Sequence, residues 1–219
     1  MTDGEMRLQG QEIVNMIRNL EISDNEILGQ IKEKSYLVEI KLMSERNLFM
    51  EAVDNGRIDL AKALKELGSD INLRCIGSGT CGNVMNLAKT KEMVEYLLEI
   101  GVEVIQCFEL RENAVHPVVS FASWNQIEMV DYWRIKEKSR STAQKYIHDM
   151  DLAVAKQISM MNQHDGLEYL LKDDELYSIY MNEIRPEESA DSMKYIRRAL
   201  KELDNPDLAD RIKEICKRK

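Results

Sequence analysis

Apolar residues recur along this chain at three- and four-residue spacing, the period of an amphipathic helix. In EIVNMIRNL, Ile13, Met16, Ile17 and Leu20 fall on one face, and in DSMKYIRRALKEL, Met193, Ile196, Leu200 and Leu203 do the same. Runs that alternate apolar and polar residues between turn signals are scarce, so little is available to build a sheet. The pattern predicts an all-α protein. Towards the N terminus it predicts helices over about 5–20, 24–34 and 36–45, the second opened by the N-cap in SDNEI, residues 23–27. Towards the C terminus it predicts one helix through HDMDLAVAKQISMM and another through GLEYLLKDDELYSIYMNEI. A last pair divides at DNPDL, with Asn205 as N-cap and Pro206 as first helical residue.

The helical pattern repeats. KEMVEYLLE at 91–99 is echoed by IEMVDYWRI at 127–135, so Met93, Val94 and Tyr96 recur 36 residues later as Met129, Val130 and Tyr132. DLAKALKELGSDINL at 59–73 lies over EMVEYLLEIGVEVIQ at 92–106, which carries Gly68 onto Gly101 at an offset of 33. Upstream, Ala52, Ala88 and Ala122 are 36 and 34 residues apart. Such a period is the signature of stacked helix pairs, each unable to bury its apolar face alone. A small residue belongs where two helices approach closely, and glycine where a helix ends in a left-handed residue.

Tetratricopeptide repeats share this period, but their Trp/Leu-Gly/Tyr pattern and terminal proline are absent. Residues 52–73, AVDNGRIDLAKALKELGSDINL, resemble the ankyrin unit without a gap. Ala52 ends a first helix, Asn55-Gly56 turns, Leu60, Leu64 and Leu67 lie on a second helix, and LGSDIN closes the unit. Where the family has Thr-Pro-Leu-His, this chain has NLFM (47–50), NVMN (83–86) and an offset HPVVS (116–120). The second unit is three residues short between its helices, and the third reads RIKEKS in place of the Leu-Gly ending. The resemblance covers residues 47–139. It implies a helical repeat solenoid, with an N-terminal helical cap over 1–46 and a C-terminal helical region over 140–219 that is either decayed repeats or a docked domain.

RCIGSGTCGN at 74–83 spells G-x-G-x-x-G through Gly77, Gly79 and Gly82. A dinucleotide loop needs a buried strand before it, and DINLR is too polar and short for one. Glu99 stands at a suitable distance for the ribose acid but falls on the outer helix of the second unit. In the ankyrin resemblance this stretch is a protruding hairpin finger. Cys75 and Cys81 lack the spacing of zinc pairs, and His116, His148 and His164 are scattered. His116 suits a helix cap, and His148 a surface pair with Asp151 one turn on. Trp133 and the methionines at helical spacing, Met93 and Met129, belong to the core. No cofactor, metal or catalytic set is expected.

The formal net charge is −9 and no segment is basic, which argues against nucleic acid. No apolar run reaches the roughly 18 residues that span a bilayer. With nothing resembling an export signal and only four cysteines, the expectation is a cytoplasmic protein with free thiols and no membrane association. The resemblance implies a non-enzymatic scaffold that binds a folded protein through a concave surface. Its contact positions map onto Arg46, Asp54 and Asn55 in the first unit, Ser78, Thr80, Lys89 and Thr90 in the second, and Trp124 and Asn125 in the third. The negative charge favours a protein partner with a basic surface. The alternatives are an enzyme or ligand-binding domain in the C-terminal helices, with a pocket of ~300 Å³ among 143–219, and a self-associating stack.

Overall fold

A computed structural model describes residues 2–42, 45–74, 82–108, 115–161, 163–203 and 205–217. Among these residues there are twelve α-helices, a few short 3-10 and π turns, and no strand. The fold is all-α, as the apolar period predicts. The helices divide into two units. The first runs to Cys107 and includes Val115 and His116; the second takes Phe108 and everything from Pro117.

The first unit holds α1 (Asp3–Arg18), α2 (Asp24–Glu33), α3 (Leu48–Asp54), α4 (Ile58–Glu66) and α5 (Lys91–Glu99). Thr2 and Glu5 form a reciprocal capping box at α1, and Ser23 accepts from the Glu26 amide to cap α2. Helix α1 packs on α3 and α2 on α4, while α3 also packs on a single 3-10 turn, Val84–Leu87. Where the sequence reading expects NVMN to open a first helix, the chain makes only this turn before Thr90 caps α5. Ala52 and Ala88 are completely buried, as close helix approach requires.

In the second unit are α6 (Pro117–Ser123), α7 (Ile127–Arg140), α8 (Gln144–Met161), α9 (His164–Lys172), α10 (Asp174–Ile179), α11 (Ala190–Glu202) and α12 (Ala209–Cys216). Helix α10 runs on into a π turn, Tyr180–Ile184. Alternate helices pack on one another, α6 on α8 on α10 and α7 on α9 on α11. Trp133 is fully buried, as are Met93 and Met129 in their respective units.

Backbone geometry recurs with the sequence period. The Ser69 amide donates to Leu64 O and the Gly68 amide to Lys65 O, and 33 residues later Val102 and Gly101 do the same to Leu97 and Leu98. Both glycines have positive φ, 97° and 85°. Helices α4 and α5 stop there after nine residues each, whereas α7, with RIKEKS in place of Leu-Gly, continues for 14. The turn between α3 and α4 matches the one between α6 and α7: the Arg57 amide donates to Ala52 O and the Gln126 amide to Phe121 O, with Gly56 and Asn125 at positive φ. Asn47 and Asn83 act alike too, each capping the turn that follows while its Nδ2 donates to a distant carbonyl, Asp70 O at 2.8 Å and Glu103 O at 2.7 Å.

Three expectations are corrected. The helix expected at 36–45 is a 3-10 turn, Ser35–Glu39, ended by the extended residue Ile40, because it buries the adjacent Leu37 and Val38 rather than a helical stripe. The helix through GLEYLLKDDELYSIYMNEI breaks at Asp173, whose carboxylate caps α10 by accepting from the Leu176 amide. Leu20 does not share the buried face of Ile13 and Ile17: α1 ends at Arg18, Asn19 is extended, and Leu20 is 79% exposed.

Candidate interaction site

Five charged side chains form a continuous line across the first unit. Arg18 of α1 donates to Glu51 of α3 at 2.9 Å. Arg46, just before α3, lies along that helix to reach Glu51 at 3.6 Å and Asp54 at 2.7 Å. Lys89, preceding α5, meets Asp54 Oδ1 at 2.6 Å and donates to Asp54 O at 2.9 Å. The middle of the line is shielded, with the Glu51 side chain 1% exposed, while Arg18 and Lys89 at its ends are about half exposed. Burial pushes the Asp54 carboxyl up, but hydrogen bonds from Lys89 and Arg46 outweigh it and hold Asp54 below the usual carboxylate range.

Both ends of this line border one cleft of about 290 Å³. Arg18, Lys89 and Asp54 supply its charge, and Asn55, Gly56 and Thr90 its polar rim. Leu20, Val53 and Met93 make the apolar part. Asn55 is oriented by donating to Glu51 O, and the Thr90 hydroxyl accepts from the Met93 amide. Gly56 leaves open space where a side chain would stand. The α1–α2 loop that carries Leu20 is fixed by Arg57, whose guanidinium donates to Ile17 O, Asn19 O, Ile22 O and Asp24.

Of the contact positions expected from the sequence, Asp54, Asn55, Lys89 and Thr90 therefore come together, with Arg46 bonded to Asp54 behind them. Ser78 and Thr80, with the rest of the glycine-rich finger from Cys75 to Cys81, lie outside the described residues. The chain before them, 70–74, is turn and coil. Trp124 and Asn125 belong to the second unit. The Trp124 ring stands edge-on to Phe121 at 5.9 Å, and Asn125 Oδ1 lies so close to Gly166 of α9 that a Cβ there would sit 2.8 Å away. Arg18 was absent from the sequence reading, and Leu20 stood there only as part of the buried face of α1, since nothing local to α1 shows which turn its end will meet.

A second charged cluster, also absent from that reading, lies inside the second unit. Arg134 of α7 is buried and donates to Asp151 at 2.7 Å, Tyr169 at 2.7 Å and Asp173 at 2.6 Å. Lys138 reaches Asp151 at 3.0 Å and also pairs with Glu175. Burial works against the Arg134 charge, yet its hydrogen bonds to Asp151 and Asp173 raise its pKa well above the ordinary value. Tyr169 is pushed up to about 12, chiefly by burial. The cluster ties α7, α8 and α9–α10 together. Asp151 thus turns inward, and His148 pairs instead with Glu183 at 3.3 Å. His116 is fully buried just before α6.

Among the described residues no group of three or more His, Cys, Asp or Glu side chains could hold a metal ion, and no helix is long and apolar enough to cross a membrane. No protein-family model matches this chain, and comparison with curated proteins gives no significant match.

Proposed function

We propose that the chain is a non-enzymatic protein-interaction scaffold of ankyrin-like helix pairs, taking a folded protein partner on the concave surface which that resemblance implies. The observation that carries the reading is the convergence of Asp54, Asn55, Lys89 and Thr90 on one open cleft built from three successive helix-pair segments. Recurrence of the same helix ends, turns and asparagine clamps at the sequence period supports the repeat assignment. Packing of alternate helices from α6 to α11 supports reading the C-terminal helices as continued pairs. The cleft has apolar floor, charged ends and an oriented polar rim, the ingredients of a recognition patch. The carboxylate that lines it, Asp54, is engaged by Lys89 and Arg46 and held below the usual carboxylate range, unlike a base poised near neutral pH.

Photo-crosslinking tests this directly. A benzoylphenylalanine placed at Asn55 is expected to capture a discrete protein from native cell extract, competed away by unlabelled chain. The same group at the exposed Tyr195 should not capture it. The captured protein, purified, should bind the chain and lose at least tenfold in affinity to Leu20→Glu. Equal capture from both positions, or binding indifferent to Leu20, would overturn the reading.

A further inference from the structure

Charges alternate along Arg18, Glu51, Arg46, Asp54 and Lys89, and the alternation ends in a cation on each side. Each carboxylate is paired with two cations, whereas Arg18 and Lys89 each engage a single carboxylate among the described residues. A guanidinium carries five N–H donors and an ammonium three, so both ends keep donors unspent, and both are half exposed. The set is one positive charge in excess. Beside it Leu20 stands 79% exposed over buried Val53 and Met93.

The geometry points to this cleft as the seat of an acidic segment of the protein partner, an Asp or Glu carboxylate completing the charge alternation and a neighbouring aliphatic side chain covering Leu20. The inference rests on the scaffold reading and gives its partner a chemistry. A volume of about 290 Å³ suits one or two side chains rather than a whole helix face. A basic segment would meet Arg18 and Lys89 directly, since Glu51 and Asp54 are already shared. The net charge of −9 expresses the whole surface, but beyond about 8 Å at physiological salt it is screened, so the groups lining the cleft decide what docks there.

The test is selection of a displayed random dodecapeptide library against the full chain, followed by affinity measurement on the enriched peptides. Enrichment of Asp or Glu next to Leu, Ile or Met is expected, with binding weakened at least tenfold by Arg18→Gln with Lys89→Gln at unchanged circular dichroism. Should that double variant not fold, Lys89→Gln and Leu20→Ser alter exposed side chains singly, and each should weaken binding severalfold. A free C-terminal carboxylate as the shared feature would overturn the side-chain assignment. Basic peptides lost on Leu20→Ser would overturn the acidic class and leave the scaffold reading standing. Acidic peptides indifferent to all three substitutions, or no enrichment, would overturn this inference, while the Asn55 crosslink judges the scaffold separately.

Discussion

Arg57 does the work of a loop of covalent chain. Its side chain is only 9% exposed, and its forked donors satisfy three carbonyls at the α1–α2 turn together with Asp24. Truncation would leave those acceptors without a partner in a crowded place, a loss of about 2–4 kcal/mol. Arg57→Ala should therefore lower the urea midpoint, and Arg57→Lys should restore only part of it, since an ammonium cannot fork across several acceptors. Asp54 gives a pH signature. Its folded pKa lies below the ordinary 3.8, so its contribution is present above that value and is lost as pH falls through the folded one. Asp173 acts in the same direction in the second unit: burial raises its carboxyl, and Arg134 and the Leu176 amide bring it down further. The urea midpoint should hold from pH 7 to 5 and drop below about pH 4. Asp54→Asn should flatten that drop.

Helix boundaries show which parts of the sequence speak for themselves. Gly68 and Gly101 end α4 and α5 at positive φ with open space around them, so a methyl group there costs only backbone strain, about 1–2 kcal/mol. Gly29, on the exposed side of α2, is also surrounded by open space but lies within the helix. Thermal scans should thus show Gly68→Ala lowering Tm and Gly29→Ala raising it, the latter by up to ~1 kcal/mol of helix propensity. Such local signals were legible: the glycine stops, the buried alanines, the Ser23 and Asn205 caps and the Asn55-Gly56 turn all follow from residue type and spacing. Asp173 was legible in principle, because an aspartate pair inside a helical run is a cap signal, but the apolar period on both sides concealed it. Signals that depend on distant chain were not legible. The fate of Leu20 turns on Asn19 leaving the helix, and its place beside Lys89 turns on the packing of α1 against α3. Arg134 likewise sits in a helix whose apolar pattern does not reveal that three carboxylates from α8 to α10 converge on it.

At the scale of the whole molecule, charge separates the expectation of a basic partner from that of an acidic segment at the cleft. At ~10 mM ionic strength the Debye length is about 30 Å, so an approaching peptide feels the summed charge of the chain; at 150 mM it is about 8 Å, and only the cleft cations remain in range. The sum is −9, opposite in sign to the excess at Arg18, Arg46 and Lys89 over Glu51 and Asp54. An acidic peptide is therefore repelled from afar and held at contact. Its association rate should rise as salt goes from 10 to 150 mM, because screening removes the long-range repulsion first, and its dissociation rate should rise as well, because the contact pairs weaken. A basic ligand would show association slowing over the same range. Stopped-flow fluorescence with a labelled acidic peptide enriched at the cleft reads both rates, and an association rate that falls steadily with salt would mean that the ligand is drawn by the acidic surface and not by the cations at the ends of the Arg18–Lys89 line.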